Sequence, residues 1–254
     1  MIIFDIETES LPFDKIEHLM PPFDPASVKC LVEGEFDPST VKLGTMKDEA
    51  KIKAKVDAAR AAFAEAKACG PALIEESRIQ HIAEFLDRAA LSAVTGRVLV
   101  VGYYSVEKDK VVIDDGGKDG DESKIIVNFW KQYALGRAAP RKLVGLNIFD
   151  FDLPFLIRRS WILGIDVPAT AVKDDRYFDQ VFIDLRRRWL CGQHFSACES
   201  NFDVIGKALG TGGKNGQSGA DFARLWKEDR AAAINYLTND LKQPAAWAAR
   251  MGLI

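Results

Sequence analysis

Three places along the chain carry side chains whose type and spacing suit metal-assisted chemistry. The first is the opening stretch M-I-I-F-D-I-E-T-E-S, where Asp5 and Glu7 stand one residue apart inside an apolar run. Side chains alternate across a strand, so residues 5 and 7 project from one face. Two carboxylates side by side at a buried strand repel each other, and each is unfavourable to bury alone. A divalent cation relieves both difficulties, and hard carboxylate oxygens suit Mg²⁺ or Mn²⁺. The plain alternative is a strand end whose acids point into water.

The second place is G-L-N-I-F-D-F-D-L-P-F-L, where Asp152 follows a short apolar run and precedes Leu153-Pro154. Taken alone, its position predicts a helix N-cap. The third is I-N-Y-L-T-N-D-L, in which Tyr236 and Asp240 are four residues apart and so share one face of a helix, one turn from each other. Read by itself that pair is an ordinary half-exposed helical surface.

The elements that must bring these groups together can be read from pattern. Residues 1–6 predict a first strand, and residues 11 to about 45, rich in Pro, Asp and Gly, an irregular excursion. From residue 46 the sequence is strongly helical until Gly70-Pro71, which predicts a stop. A second helix follows through L-I-E-E-S-R-I-Q-H-I-A-E-F-L-D-R, making an inserted helical hairpin. Segments 97–105 and 110–113 read as paired strands, 122–133 as helix, 142–147 as strand and 153–163 as helix. V-F-I-D-L, a helix around F-D-V-I-G-K-A-L-G, a Gly-rich loop and a long helical region at about 219–250 complete the chain. Strands followed by strands alternating with helices predict an α/β domain with a mixed sheet.

Together the three acidic places resemble the three exonuclease motifs of the DEDD (DnaQ-like) superfamily: D-x-E on a first strand, N-x-x-x-F-D at a later strand-to-helix turn, and Y-x-x-x-D on a C-terminal helix. The tyrosine marks the DEDDy branch, and the pattern is most similar to the proofreading domain of family-B DNA polymerases. The flanks A-L-S-A-V-T-G-R-V-L-V-V-G, V-F-I-D-L and F-D-V-I-G-K-A-L-G with G-K-N-G resemble stand-alone exonucleases of that type. The resemblance covers residues 1–10 and about 88–250; F-D-P-S-T-V-K-L-G-T-M-K-D-E-A-K-I also resembles an insertion in phage-type homologues.

The resemblance implies an RNase H-like fold with a five-stranded mixed sheet flanked by helices, as one domain over 1–254 with an irregular and helical insertion at about 11–90. It implies metal-dependent 3′→5′ exonucleolysis of DNA, at single-stranded 3′ ends, releasing nucleoside 5′-monophosphates. Two Mg²⁺ or Mn²⁺ ions are implied, with Asp5 bridging both, Glu7 and Asp240 completing one, and Asp152 holding the other through water. Tyr236 would orient the attacking water; since a free tyrosine ionises only near ~10, positioning suits it better than proton abstraction. Counting from Asn147, the motif spacing selects Asp152 over Asp150. Asn147 would serve the site or the DNA backbone, and Thr8 either the terminal nucleotide or the strand end. Asp184 matches a recurring family acid, with a structural role equally open. The rival expectations are a 3′→5′ exoribonuclease and a non-catalytic nucleic-acid-binding or polymerase-partner module.

Arg158, Arg159, Lys173 and Arg186-Arg187-Arg188 are the basic groups placed to meet phosphates, although charge runs are commonly solvated faces. Phe151 is a candidate for stacking on bases, whereas Phe155 is expected to face the core. The loop G-T-G-G-K-N-G fails the phosphate-loop pattern, because position 208 is Ala and Asn215 follows Lys214; Lys214 is instead a candidate DNA contact.

The net charge of −3 confines any nucleic-acid contact to local basic patches. Four cysteines (Cys30, Cys69, Cys191, Cys198) are too sparse for a disulfide scaffold and read as reduced thiols, with Cys191-x-x-His194-x-x-x-Cys198 a minor zinc alternative. No apolar run approaches the ~20 residues of a membrane span, and the N-terminus lacks a signal-peptide pattern, so a soluble, intracellular, cytoplasmic protein is expected. A polymerase palm and fingers do not fit within 254 residues, so the exonuclease would stand alone or work with a separate DNA polymerase or repair factor.

Overall fold

The computed structural model describes residues 1–254 apart from 29, 30, 33, 46, 140, 173–178 and 215–218. Ile2–Ser10 (β1) is the central strand of a five-stranded mixed sheet. On one edge it pairs antiparallel with Gly96–Ser105 (β2), which pairs antiparallel with Lys110–Asp114 (β3). On the other it runs parallel to Leu143–Gly145 (β4), which runs parallel to Phe182–Asp184 (β5). The sheet order is therefore β3-β2-β1-β4-β5. The helices are Phe13–Ile16 (α1), Glu49–Ala89 (α2), Glu122–Ala138 (α3), Asp152–Ile162 (α4), Leu185–Leu190 (α5), Phe202–Ala208 (α6), Gly219–Glu228 (α7) and Arg230–Arg250 (α8).

Alternation along β1 sorts its side chains into two cores. Ile2, Phe4 and Ile6 pack with Phe129 and Trp130 of α3 and with Leu153 and Leu156 of α4. Ile3 packs on the other face with Phe222 of α7 and Leu237, Leu241 and Trp247 of α8. Asp5 and Glu7 share the parity of Ile3, so they project toward the α7–α8 layer. The register of β1 against β2 steps from Glu7↔Val100 to Thr8↔Val98, leaving Leu99 as the extra residue of a bulge beside Glu7.

Gly102 lies opposite Asp5 in that register. A Cβ there would come within 2.8 Å of Leu241 Cδ1 and 3.0 Å of Leu237 Cδ2. The bare backbone thus lets α8 settle against the sheet next to the first acid. The predicted final helical region is two helices, because Asp229 caps α8 by accepting from the Ala232 N–H at 3.0 Å.

Two expectations change here. Gly70-Pro71 does not stop the helix: α2 runs unbroken through both residues. An interior proline gives up one helical hydrogen bond and crowds the carbonyl four residues back, but its further clash with the Cβ of the preceding residue is absent here, because Gly70 has none. Arg159 does not face phosphate. It is buried, donating from Nε and Nη2 to Glu122 at 2.9 and 2.6 Å and from Nη1 to the Ala93 carbonyl at 3.1 Å. Glu122 also accepts from the Val98 N–H at 2.8 Å, so the pair ties α3 and α4 to β2.

The chain divides into two compact units, Met1–Ile16 with Asp87–Ile254, and Glu17–Leu86. Within the second, the irregular segment lies along α2. His81 bonds the Pro21 carbonyl at 2.9 Å, Lys67 donates to the Gly34 carbonyl at 2.6 Å, and Phe36 meets Phe63 edge-on. Among the described residues no helix is long and apolar enough to cross a membrane.

Candidate active site

β1 delivers Asp5 and Glu7 to the face on which α8 lies, and α8 turns Tyr236 and Asp240 toward them. Glu7, Tyr236 and Asp240 are buried and Asp5 half-buried. Tyr236 and Asp240 therefore form no half-exposed surface. Carboxylate oxygens of Asp5, Glu7 and Asp240 lie within 4.8 Å of one another, making this the single grouping of potential metal ligands among the described residues. Asp240 Oδ1 is buried with no hydrogen-bond partner. An orphaned buried carboxylate oxygen is unfavourable unless something cationic meets it, and that fits a hard divalent ion.

Asp152 lies outside that three-acid grouping but near enough for its charge to raise the pKa of Asp5. β4 ends at Gly145, so the edge of β1 beyond it has no strand partner there. Asp152 Oδ1 accepts the Ile6 N–H at 3.1 Å. The expected capping role is not what this oxygen does: Phe151 occupies the N-cap of α4, and the carboxylate is drawn to an open strand N–H 146 positions away.

The turn that presents Asp152 is organised by Asp184. Its carboxylate accepts from the N–H groups of Asn147 (2.9 Å), Phe149 (3.0 Å) and Arg186 (2.8 Å), while also capping α5. Asn147 takes a left-handed φ of 62°, which asparagine tolerates, and its Oδ1 accepts from Arg186 Nη1 at 2.7 Å. Arg186 also donates to Ser200, and Arg187 pairs with Asp150 at 2.6 Å. Arg158 and Arg188 are exposed; Lys173 and Asn215 lie outside the described residues. Phe151 is half-buried against Phe155, ring centroids 5.6 Å apart, and Phe155 faces the core as expected. Thr8 projects from the face opposite Glu7 and donates to the Ala90 carbonyl at 2.7 Å.

Electrostatics marks the cluster as strained without a cation. Burial, then the charges of Asp152 and Asp240, hold Asp5 well above the usual carboxylate range. Burial and the charges of Asp5 and Asp240 do the same to Glu7. Burial pushes Asp152 up to about 7. Burial raises Asp240 too, against the pull of Lys214. Tyr236 is pushed far above its ordinary value by burial and by the charges of Glu7 and Asp240, so it stays protonated.

Lys214, the candidate DNA contact, also turns toward these acids. Its ammonium lies 2.9 Å from Asp240 Oδ2 and donates to the Tyr236 hydroxyl at 2.7 Å. Burial alone would lower its pKa, but Asp240, Asp5 and Glu7 hold it above the ordinary lysine value. The Gly-rich loop reaches this place by contacts that sequence pattern does not expose. The Lys214 N–H donates to Asp203 at 2.6 Å, Gln243 donates to the Gly213 carbonyl at 3.1 Å, and Trp247 donates to Thr211 at 2.6 Å.

Residues 83–242 match the family described as a predicted 3′-5′ exonuclease related to the exonuclease domain of PolB. No curated protein matches the chain. Among solved structures, the family B DNA polymerase from the hyperthermophilic archaeon Pyrobaculum calidifontis is similar in fold, with a TM-score of 0.50 and 17% identity over 65% of this chain. The match spans only 23% of that polymerase. The family match includes Asp152, Lys214, Tyr236 and Asp240 but begins after β1, so Asp5 and Glu7 join the site through the fold. With more than half of its length matched, the chain belongs to this family of predicted 3′-5′ exonucleases related to the exonuclease domain of PolB.

Proposed function

We propose that the protein is a metal-dependent 3′→5′ exodeoxyribonuclease that acts on single-stranded 3′ ends of DNA and releases nucleoside 5′-monophosphates. The observation that carries this reading is the convergence of Asp5, Glu7 and Asp240, with an unpartnered Asp240 oxygen among them, in a chain of an exonuclease family. Asp5, Glu7 and Asp240, with Asp152 beside them, would hold two divalent cations, Mg²⁺ or Mn²⁺. When bound, these supply activation of the attacking water and stabilisation of the leaving 3′ oxygen.

The chain's own groups do the positioning. Tyr236, kept protonated by burial and neighbouring charge, would orient the water through a hydrogen bond from its hydroxyl without deprotonating it. Asp152, tied to the Ile6 N–H, fixes the β4–α4 turn against β1. Asn147 and Phe151 lie on the turn that presents Asp152, where an amide would suit a nucleotide backbone and a half-exposed ring would suit base stacking. Thr8 contributes its backbone and the accepting side of its hydroxyl at the strand end. Base-specific contacts are not required, since the reaction recognises an end. An activity of this kind suits editing or repair of DNA ends.

The test is digestion of matched 5′-labelled DNA and RNA oligonucleotides, single- and double-stranded, with Mn²⁺ or with EDTA. We expect a ladder shortening from the 3′ end of single-stranded DNA, mononucleotide product, and no product with EDTA. Equal or faster digestion of RNA would replace the DNA assignment by an exoribonuclease. Binding of DNA without any cleavage in Mn²⁺ would leave only a nucleic-acid-binding module.

A further inference from the structure

We propose that Lys214 is a tethered counter-cation: its ammonium holds the place beside Asp240 and Tyr236 in the metal-free protein and yields it when a divalent ion binds. This inference rests on the metal-dependent reading above. Asp240 belongs to the carboxylate grouping suited to a metal, yet its Oδ2 is paired with Lys214 at 2.9 Å. Three acids converge at the site, with the charge of Asp152 felt at Asp5, and among the described residues Lys214 is the cation paired to one of them. A mobile charge on a four-carbon stem can leave such a pair when a doubly charged ion offers the carboxylate more.

The loop carrying Lys214 is built for this delivery. Gly206 and Gly213 leave no room for a Cβ, which at Gly206 would collide with the Gly212 carbonyl and at Gly213 with the Asp203 carboxylate. That carboxylate holds the Lys214 N–H at 2.6 Å, and Gln243 of α8, three residues beyond Asp240, holds the Gly213 carbonyl at 3.1 Å. The backbone at 213–214 is thereby fixed to the helix that carries the acid, so only the side chain needs to move. Its direction also bears on the alternative use: the ammonium points into the acid cluster, and its side chain is only 29% exposed.

The prediction is a negative coupling between this lysine and the metal. Mn²⁺ titrated calorimetrically into EDTA-stripped, dialysed full-length protein should bind Lys214→Met about fivefold or more tightly than wild type. Lys214→Arg, which keeps the charge, should remain close to wild type. The metal-free thermal midpoint of Lys214→Met should fall below that of wild type, and Mn²⁺ should raise it by a larger interval. A purely structural lysine would weaken metal binding on removal. A readout on the unmutated protein guards against failed folding. Amine acylation read by mass spectrometry should modify Lys214 slowly without metal and faster once Mg²⁺ is added. Equal or weaker Mn²⁺ binding by Lys214→Met, or Lys214 acylation that Mg²⁺ leaves unchanged or slows, overturns the proposal. Were folded wild type to take up no Mn²⁺, the metal reading itself would fall and this inference with it. Mn²⁺ uptake that Asp5→Asn weakens but Lys214→Met does not strengthen sinks only the tethered-cation role.

Discussion

Asp5 and Asp240 come from opposite ends of the chain, yet each raises the pKa of a neighbour in the cluster, so neither acts as an independent group. Residues that work as one unit are non-additive when removed. Asp5→Asn and Asp240→Asn should each lower the exonuclease rate at least about 10³-fold, and the double variant should be no slower than the worse single one. Single-turnover digestion of a labelled oligonucleotide measures this. Independent, multiplying losses would mean that the two acids serve separate steps. Circular dichroism should stay unchanged, because replacing a carboxylate with its isosteric amide removes repulsion without opening a cavity.

At the scale of elements, the site depends on how closely α8 approaches β1 and β2. Gly102→Ala adds one methyl group between the sheet and Leu237 and Leu241. Overpacking of that kind destabilises by about 1–3 kcal/mol. The same shift would lift Asp240 and Tyr236 from Asp5, so activity should fall by more than the loss of folded protein explains. Urea unfolding paired with the rate per folded molecule tests it, and a destabilised variant with unchanged specific activity would count against it. What sequence made legible follows from the range of each interaction. The strand period put Asp5 and Glu7 on one face, and the helix period did the same for Tyr236 and Asp240. The Asp152 bond to the Ile6 N–H and the Arg159 pair with Glu122 join distant segments, and no local pattern announces them. Lys214 was visible as a basic residue in a glycine loop. Its direction was not, because Asp203, 11 positions from Lys214, and Gln243, 30 positions from Gly213, fix that loop. Continuity of α2 was obscured because Gly and Pro each signal a stop singly, whereas in that order the glycine removes one part of the proline's steric conflict.

The whole molecule carries the electrostatic load of the site as a dependence of stability on pH. An unfolded aspartate titrates near ~4. Folded Asp152 titrates at about 7, raised by burial, and Asp5, Glu7 and Asp240 shift in the same direction. Between these values the folded protein binds more protons than the unfolded chain, so the metal-free fold loses stability as pH rises through that window. Its denaturation midpoint in EDTA should be higher at pH 5 than at pH 8, and Asp152→Asn should flatten the difference. Mn²⁺ should recover more stability at pH 8, where the ligands are ionised. A midpoint that climbs over this interval would contradict the arrangement of acids.

The middle position of β1 in the sheet has a consequence for biosynthesis. This strand leaves the ribosome before either neighbour, and its parallel partner, Leu143–Gly145, follows more than 130 residues later. Until then an apolar ribbon with unmatched backbone groups waits in the nascent chain, a setting in which wrong associations compete with folding. The two leading acids are well suited to that interval. Before they ever meet a substrate, their charges make the segment a poor template for aggregation.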